Sequence, residues 1–203
     1  MLINLYEDSI ASKYLDTAYY SLENDGILLV PTDTLYAFVC DIQSKKAAHR
    51  LAELKGKKLE KSNFSIMCSS LSMASSYVKP LSNQQFAFIK SLDTGKFTLV
   101  MQASKLTPKI FQNKKRTIGI RITQNNILKT IISRLNRPLL VTSAPHYEQE
   151  DDIYKNAELI YEQYASIIDF AINMGQIVGI PSTVLDMTSG SDYEILRQGL
   201  GKL

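Results

Sequence analysis

Apolar side chains recur every three to four residues in some segments of the chain and run together or alternate in others. Residues 9–23 show the helical spacing, with apolar positions on one face and polar positions on the other. Ser44, the Ser82–Gln85 capping box, and Asn125 or Asn126 are typical of helix N-termini. Besides residues 9–23, the pattern predicts helices over residues 44–54, 82–92, 125–135 and 151–164.

Short apolar runs between these helices predict strands. Some successive strands are separated by a helix, whereas others are joined by short turns, which favours an α/β or α+β fold. We expect a single domain over residues 1–203, built on a twisted sheet of mixed parallel and antiparallel strands with helices on its faces. The predicted strands cover residues 27–30, 35–40, 64–68, 97–101, 117–122, 139–142, 167–172, 183–187 and 193–196.

The composition is typical of a folded domain. Of the 203 residues, 45% are hydrophobic and 21% are charged, which excludes a disordered chain. The longest apolar runs are much shorter than the roughly 20 residues that cross a bilayer, so we expect no transmembrane helix and no membrane partner. The N-terminus lacks the basic and apolar regions of a secretory signal, and the expected location is the cytoplasm.

The net charge of +3 is unevenly distributed along the chain. Residues 45–61 contain seven Lys or Arg, and residues 105–121 contain six with no acidic residue, whereas residues 148–169 contain seven carboxylates. If the two basic stretches meet in space, they form a patch suited to phosphates, as in a nucleotide or RNA. The alternative is that they are two separate solvated loops.

Several common kinds of site have no support in the sequence. Neither a G-x-x-x-x-G-K-[ST] phosphate loop nor a G-x-G-x-x-G turn after a strand is present. His49 and His146 stand in no zinc-binding or Ser-His-Asp pattern, and His49 is expected to face solvent. Cys40 and Cys68 fall in predicted strands, where we expect buried thiols. We therefore expect no protein-ligated metal.

Hydroxyl and guanidinium side chains stand at the ends of several predicted strands. Thr32, Thr34 and Tyr36 alternate, so that a strand would direct all three to one face. Other members of this group are Thr142, Ser143, Ser182, Thr183, Arg121 and Arg197. If they converge on a concave surface, they supply the donors that a carboxylate and a phosphate require. The alternative for each hydroxyl is a local bond to the backbone at a strand end.

Taken in order, these segments resemble the YrdC/YciO family of threonylcarbamoyl-adenylate synthases and their paralogues, which are also described as double-stranded RNA-binding translation factors. The resemblance extends from Gly26 to Gly199. Each motif is weak alone, but their common order is specific. Residues 31–36 are similar to P-T-[DE]-T-x-Y, 55–57 to K-G-R, 117–121 to T-x-x-x-R, 142–144 to the start of T-S-A-N, 181–186 to E-S-T-V-x-D and 195–199 to I-L-R-x-G, while Asn63 stands where the family has an asparagine before a strand.

The resemblance implies a fold, an activity and a set of site residues. The implied fold is a twisted mixed sheet around an open basic cavity. The implied activity joins ATP, as its Mg²⁺ complex, with L-threonine and bicarbonate into threonylcarbamoyl-AMP for tRNA modification, in a protein that also binds tRNA or double-stranded RNA. By motif position, the implied catalytic residues are Lys55, Lys57 and Ser143, the substrate-binding residues are Thr34, Arg121, Ser182 and Arg197, and the nucleotide-binding residues are Asn63 and Thr117.

Several positions depart from the family pattern. Lys57 replaces an arginine, Pro145 replaces the asparagine of T-S-A-N, and Pro181 replaces a glutamate. These departures resemble the YciO branch of the family. Three hypotheses follow: an adenylate-forming synthase, an RNA-binding protein that uses the two basic stretches, and a paralogue that binds a nucleotide or an acyl-adenylate without making one.

Overall fold

The computed structural model describes residues 1–5, 12–59, 62, 64–143, 156–190 and 192–203. The helices in this part of the chain are α1 (Ser12–Glu23), α2 (Lys45–Leu54), α3 (Leu71–Tyr77), α4 (Asn83–Ser91), α5 (Asn126–Leu135) and α6 (Ala157–Tyr164). The strands are β1 (Leu2–Asn4), β2 (Leu28–Pro31), β3 (Tyr36–Asp41), β4 (Ser65–Cys68), β5 (Phe97–Gln102), β6 (Thr117–Ile122), β7 (Leu139–Ser143), β8 (Phe170–Asn173), β9 (Thr183–Asp186) and β10 (Glu194–Arg197).

All ten of these strands join one mixed sheet in the order β1-β8-β2-β3-β7-β4-β6-β5-β9-β10. Parallel pairing occurs between β1 and β8, β2 and β8, β4 and β6, and β5 and β9. The other neighbours are antiparallel. This confirms the predicted α/β fold with a sheet of mixed direction.

Each face of the sheet carries its own apolar core. On one face, helices α2, α3, α4 and α6 pack on alternate strand residues such as Phe38, Ile66, Leu99 and Ile120. On the other face, α1 and α5 cover residues such as Leu28, Val39 and Phe170. Successive side chains of a strand point to opposite faces of the sheet. Alternate apolar residues therefore pack against the helices of one face, and the residues between them pack against the helices of the other.

Helices α1 and α5 cover only part of the second face. Their core includes residues of β2, β3, β7 and β8 together with Met67 of β4, but none from β5, β6 or β9. The side chains that β5, β6 and β9 direct to this face are instead mostly polar or small, as in Thr117, Gly119 and Arg121 of β6. This uncovered area of the sheet is the floor of a cavity.

The predicted helix signals are confirmed in detail where the structure describes them. Ser44 accepts a hydrogen bond from the Ala47 backbone at the start of α2, and Ser82 and Gln85 form a reciprocal capping box. Asn125 caps α5, which buries the five apolar side chains predicted to face inward: Ile127, Leu128, Ile131, Ile132 and Leu135. The predicted helices over 9–23 and 151–164 begin at residues outside the described ranges.

Two elements were not predicted. Strand β1 is three residues long and pairs with β8, which lies 169 positions further along the chain (Leu2 with Ala171). Helix α3 contains three serines among its seven residues, starts at a Ser70 cap, and buries Ala74. Neither segment carries enough local periodicity for a prediction, because both are held by distant neighbours. None of the described helices is long and apolar enough to cross a membrane.

Candidate functional site

The cavity above the uncovered part of the sheet has a volume of about 650 Å³. Alternate residues of three adjacent strands form its floor: Thr117, Gly119 and Arg121 of β6; Thr98, Val100 and Gln102 of β5; and Val184 and Asp186 of β9, with Ser182 just before β9. A Cβ atom on Gly119 would lie 2.4 Å from Ser65 Oγ and 3.3 Å from Thr98 Cγ2. The glycine therefore keeps the middle of the floor open.

Thr32 and Thr34 lie in the tight connection between β2 and β3, so no strand aligns them with Tyr36 on one face. Thr32 Oγ1 accepts hydrogen bonds from the backbone N–H groups of Thr34 and Leu35 and donates to the Leu35 carbonyl. These local bonds compete with strand pairing and stabilise the turn. Tyr36 instead directs its hydroxyl to the Gly175 carbonyl, 2.8 Å away.

Arg121 connects this turn to the cavity floor. Its Nη2 donates to Thr34 Oγ1 at 2.8 Å and, less closely, to Thr32 Oγ1 at 3.4 Å. Its Nε is buried and has no partner among the described residues. Burial lowers the pKa of Arg121 to about 10, against the opposing effect of Asp33, and Arg197 lowers it further. The guanidinium is thus cationic at neutral pH, and its buried Nε–H is left for a ligand.

Ser182 and Arg197 form a second group of donors at the same end of the cavity. Arg197 donates through Nε and Nη2 to the Ser182 carbonyl, at 3.2 and 2.8 Å. Ser182 Oγ lies 2.8 Å from Thr98 Oγ1. Desolvation lowers the pKa of Arg197. Two guanidinium groups from β6 and β10 therefore approach the same space, an arrangement suited to an anion.

Lys55 reaches the opposite side of the cavity from the C-terminus of α2. Gly56, at φ +62°, and Lys57 close the helix with backbone bonds to the Glu53 and Ala52 carbonyls, a Schellman motif. This turn lets Lys55 Nζ donate to Thr142 Oγ1 of β7 at 2.7 Å. Burial lowers the pKa of Lys55, and the charge of Lys57 lowers it further.

The loop before β6 supplies a further basic residue. Asn113 accepts a hydrogen bond from the Thr117 backbone at 3.0 Å and donates to Thr117 Oγ1 at 2.5 Å. Arg116 adopts a left-handed conformation at φ +57°, and its N–H closes the turn on the Asn113 carbonyl. The exposed Lys115 in this turn lines the cavity. The two basic stretches predicted from the sequence therefore meet at the cavity.

The lining of the cavity is strongly cationic. Its basic residues are Lys55, Lys115, Arg121 and Arg197, and Asp186 is its one acidic residue among the described positions. No group of three or more His, Cys, Asp or Glu in the described part of the chain is placed to hold a metal ion. Cys40 and Cys68 are buried free thiols, with pKa values raised by desolvation. The cavity can hold an anionic ligand through hydroxyl, ammonium and guanidinium donors.

The structure brings together most of the predicted site residues. Those that line the cavity are Lys55, Thr117, Arg121, Ser143, Ser182 and Arg197. Thr34 is fully buried and contacts the cavity through Arg121. Lys57 is exposed and lies outside the lining, because it follows the glycine that ends α2. Asn63 lies outside the described residues, as do His146 and Pro145.

Sequence reasoning did not single out several residues of the cavity. Thr98, Gln102 and Asp186 are directed to it by the alternation of β5 and β9, a signal visible in the sequence once the opposite face of each strand is assigned to the core. Lys115 was noted only as part of a basic stretch. Asn113 carried no signal of its own, because its role depends on the turn that it forms with Thr117.

Comparison with known proteins assigns the chain to a family. Residues 21–199 match the family model Sua5/YciO/YrdC, which is described as "Telomere recombination". The chain belongs to the Sua5/YciO/YrdC family. This confirms the resemblance found in the sequence motifs. Two relatives extend across almost all of it: an uncharacterized protein of Haemophilus influenzae, 30% identical over 198 residues (97% of this chain and 94% of that protein), and the uncharacterized protein YciO of Escherichia coli, 28% identical over 200 residues with the same coverage.

Solved structures of family members share the fold. The crystal structure of E. coli YciO superimposes with a TM-score of 0.90 at 26% identity and covers 100% of this chain and 97% of its own. The crystal structure of P. abyssi Sua5 complexed with L-threonine gives a TM-score of 0.84 at 22% identity, covering 98% of this chain and 57% of that one. At that identity, the Sua5 comparison shows the fold alone. This family member therefore has the YciO architecture over its whole length.

Proposed function

We propose that the cavity binds ATP and L-threonine, or a similar amino acid, and joins them with bicarbonate into threonylcarbamoyl-AMP for tRNA modification. The observation that carries the proposal is the convergence of Arg121, Arg197, Lys55 and the hydroxyl donors in one cavity of about 650 Å³. Family membership and the L-threonine bound to P. abyssi Sua5 support the same ligand class.

Arg121 is the candidate anchor for the amino-acid carboxylate. Its Nη2 is held by Thr34, whereas its buried Nε has no described partner. A buried cationic donor without a partner is costly, and a ligand carboxylate would remove that cost. Arg197 and Ser182 stand at the same end of the cavity and add further donors.

Lys55 and Thr117 are the candidate contacts for the triphosphate, with Lys115 beside them. Lys55 already donates to Thr142 within the cavity, so its ammonium is positioned before the nucleotide binds. Mg²⁺ would enter with the triphosphate, since the ion is often held by substrate phosphates and few protein ligands. The cationic lining supports the complex of ATP with Mg²⁺ as the proposed substrate.

The proposed chemistry needs no protein nucleophile. The threonine amine and bicarbonate form a carbamate with loss of water, and a carbamate oxygen attacks the α-phosphorus of ATP. The bond from that phosphorus to the pyrophosphate oxygen breaks, and pyrophosphate leaves with the electron pair. Fixed cations that neutralise the developing charge, and alignment of the two reactants, supply the catalysis. Lys55 and Ser143 line the cavity and are the candidates for that role.

The test is pyrophosphate release with ATP and bicarbonate while each amino acid is added in turn, and mass spectrometry of the product. We expect release that depends on both bicarbonate and threonine. Ser182→Ala should reduce the rate, because it removes a hydroxyl at the proposed amino-acid end. His49→Ala is the matched control, since His49 is exposed on α2 and does not line the cavity.

Two other results would remove the synthase proposal. Release of pyrophosphate that is independent of amino acid and bicarbonate would indicate a different reaction. Saturable binding of ATP and threonine with no turnover would instead support a paralogue that binds the adenylate or its precursors. Binding without turnover is detected as thermal stabilisation, because a ligand that binds only the folded state raises its stability.

We propose binding of double-stranded RNA or tRNA as a second function. Five basic side chains are exposed beside the cavity, in the segments that supply Lys55 and Lys115: Lys57, Lys58, Lys114, Lys115 and Arg116. Such a group of exposed cations is suited to a phosphate backbone. It would bring an RNA substrate next to the site at which the adenylate is proposed to form.

A further inference from the structure

One carboxylate interrupts the cationic lining of the cavity. Asp186 lies at the end of β9 and lines the cavity with four basic residues. In the β9–β10 pairing, the exposed Glu194 lies opposite it. Directly opposed residues of paired strands present their side chains on the same face, and like charges there are unfavourable. Two carboxylates therefore lie side by side at this end of the β9–β10 pair.

The contacts of Asp186 leave one of its oxygens available. Oδ1 accepts from the Thr188 backbone N–H at 2.9 Å and from Thr188 Oγ1 at 2.6 Å. No other described residue donates to the carboxylate, and Oδ2 is left for a donor from the cavity. Because Thr188 fixes the orientation of the carboxylate through two bonds, Oδ2 is an oriented acceptor.

Strand register places Asp186 far from Lys55, the proposed triphosphate contact at the opposite edge of the cavity, whereas Thr117 on β6 lies between the two. One row of paired residues crosses the five adjacent strands β7, β4, β6, β5 and β9. All of its members line the cavity: Val141, Ser65, Gly119, Val100 and Asp186. Four strand spacings of roughly 4.8 Å separate the first from the last, about 19 Å in a flat sheet. Lys55 is bonded to Thr142, next to Val141.

We propose that Asp186 accepts a hydrogen bond from a sugar hydroxyl of the nucleotide and makes the cavity selective for ribonucleotides. The inference rests on the proposed function, because it takes the triphosphate to lie toward Lys55 and the nucleoside toward β9. A carboxylate repels phosphates but accepts strongly from hydroxyl donors. Val100 and Val184 flank Asp186 on the floor and offer apolar contact to the carbons of the sugar.

The experiment compares the binding of ATP, 2′-deoxy-ATP, 3′-deoxy-ATP and inosine triphosphate by calorimetric titration. No amino acid or bicarbonate is added, so that no turnover occurs. The wild-type protein is expected to bind at least one deoxy analogue about 10- to 100-fold more weakly than ATP, the range of a lost charge-assisted hydrogen bond. In Asp186→Ala this ratio should fall below about threefold, because the acceptor is gone.

Two further variants separate recognition from folding. Asp186→Asn keeps the Oδ1 acceptor for Thr188 but puts an amide N–H in place of Oδ2. A sugar hydroxyl can accept from that N–H, so the variant should give an intermediate ratio, since neutral hydrogen bonds are weaker than charge-assisted ones. Thr188→Val removes the hydroxyl bond to Asp186 but leaves the carboxylate and the backbone N–H bond that orients it, and it should retain part of the discrimination against the deoxy analogue. Circular dichroism and thermal unfolding establish that each variant is folded.

Each contrary outcome has a separate meaning. If the wild-type protein binds ATP but discriminates against neither deoxy analogue, or if Asp186→Ala discriminates as the wild type does, the inference is overturned while the proposed function stands. Selective loss of discrimination against inosine triphosphate in Asp186→Ala would place the carboxylate at the base and also overturn it. Ribose discrimination that disappears in EDTA would show that Asp186 acts through a metal ion, which overturns the direct hydrogen bond. Absence of ATP binding would overturn both proposals.

Discussion

At the scale of single residues, the cavity contains cationic side chains that are partly or fully buried, and burial disfavours their charged form. Arg121 and Lys55 both have lowered pKa values, with desolvation as the largest cause. Each donates to a threonine hydroxyl, and no described carboxylate forms an ion pair with either, although Asp33 partly offsets the charge of Arg121. Such an arrangement costs stability in the free protein and favours an anionic ligand, which restores the missing counter-charge.

The lowered pKa of Lys55 predicts how ATP affinity depends on pH. As the pH rises through that pKa, the free protein loses the Lys55 proton earlier than an ordinary lysine would, and affinity for the triphosphate should fall at pH values below the usual lysine range. Lys55→Arg should remove this early fall, because arginine stays protonated there. Titration of ATP between neutral and alkaline pH, with both proteins, measures the difference.

The control for this experiment is Lys57→Arg. Lys57 is exposed and outside the cavity lining, so its replacement should leave the early fall in affinity unchanged. Identical pH profiles for the wild type and Lys55→Arg would contradict a triphosphate contact at Lys55. The fall in ATP affinity that both proteins show would then come from another group that titrates in the same pH range.

Sequence reasoning reached those residues whose type and spacing repeat a family motif, including Arg121, Ser182 and Arg197. It assigned no role to Asp186, although this residue ends the segment similar to E-S-T-V-x-D, because the significance of an aspartate at a strand end depends on the four cations that line the same cavity. It noted that a strand would place Thr32, Thr34 and Tyr36 on one face, but Thr32 and Thr34 lie in a local hydroxyl–backbone turn, which gives the same spacing of threonines in the sequence.

At the scale of elements, the C-terminus of α2 decides where Lys55 lies. Gly56 has φ +62°, and an added Cβ atom there would meet nothing within 4 Å. Gly56→Ala therefore introduces only backbone strain, which we expect to lower the free energy of unfolding by about 1–2 kcal/mol. The same change should weaken ATP binding, because the Schellman motif that positions Lys55 is disturbed. Denaturant unfolding and ATP titration measure the two effects.

Gly56→Asn tests whether the effects of Gly56→Ala come from backbone strain at positive φ or from the loss of glycine itself. Asparagine tolerates the left-handed conformation better than alanine does, so this variant should recover part of both the stability and the affinity. A Gly56→Ala protein that is as stable as the wild type would show that the turn can end α2 in another conformation.

The elements themselves were largely predictable, because most helices and strands carry a local signal. The inward face of α5 and the capping box of α4 are examples in which periodicity and caps agree. Strand order was not predictable: β4 lies between β6 and β7, and β9 pairs in parallel with β5. These pairings join distant segments, and no periodicity within one segment specifies its neighbour.

At the scale of the whole molecule, the cavity results from an unequal distribution of helices over the two faces of the sheet. Helices α1 and α5 leave β5, β6 and β9 uncovered, and the second basic stretch borders this gap from the loop before β6. The first basic stretch reaches the same gap through the end of α2. Exposed cations from two distant segments therefore lie next to residues that line the same cavity, and we propose that together they form one basic surface beside the proposed active site.

Replacement of Lys114, Lys115 and Arg116 by alanine tests whether this surface binds RNA. For the wild type, the affinity for a duplex RNA should fall steeply with salt, because binding releases counterions from the phosphates. The triple variant should bind more weakly, with a salt slope smaller by about one for each phosphate that the protein no longer neutralises.

Lys13, Lys79 and Lys90 are exposed and do not line the cavity, so their joint replacement by alanine removes the same charge elsewhere and should leave the slope close to that of the wild type. Equal slopes for the two triple variants would mean that net charge alone attracts RNA. A wild-type affinity that does not change with salt would exclude the basic surface as an RNA-binding site.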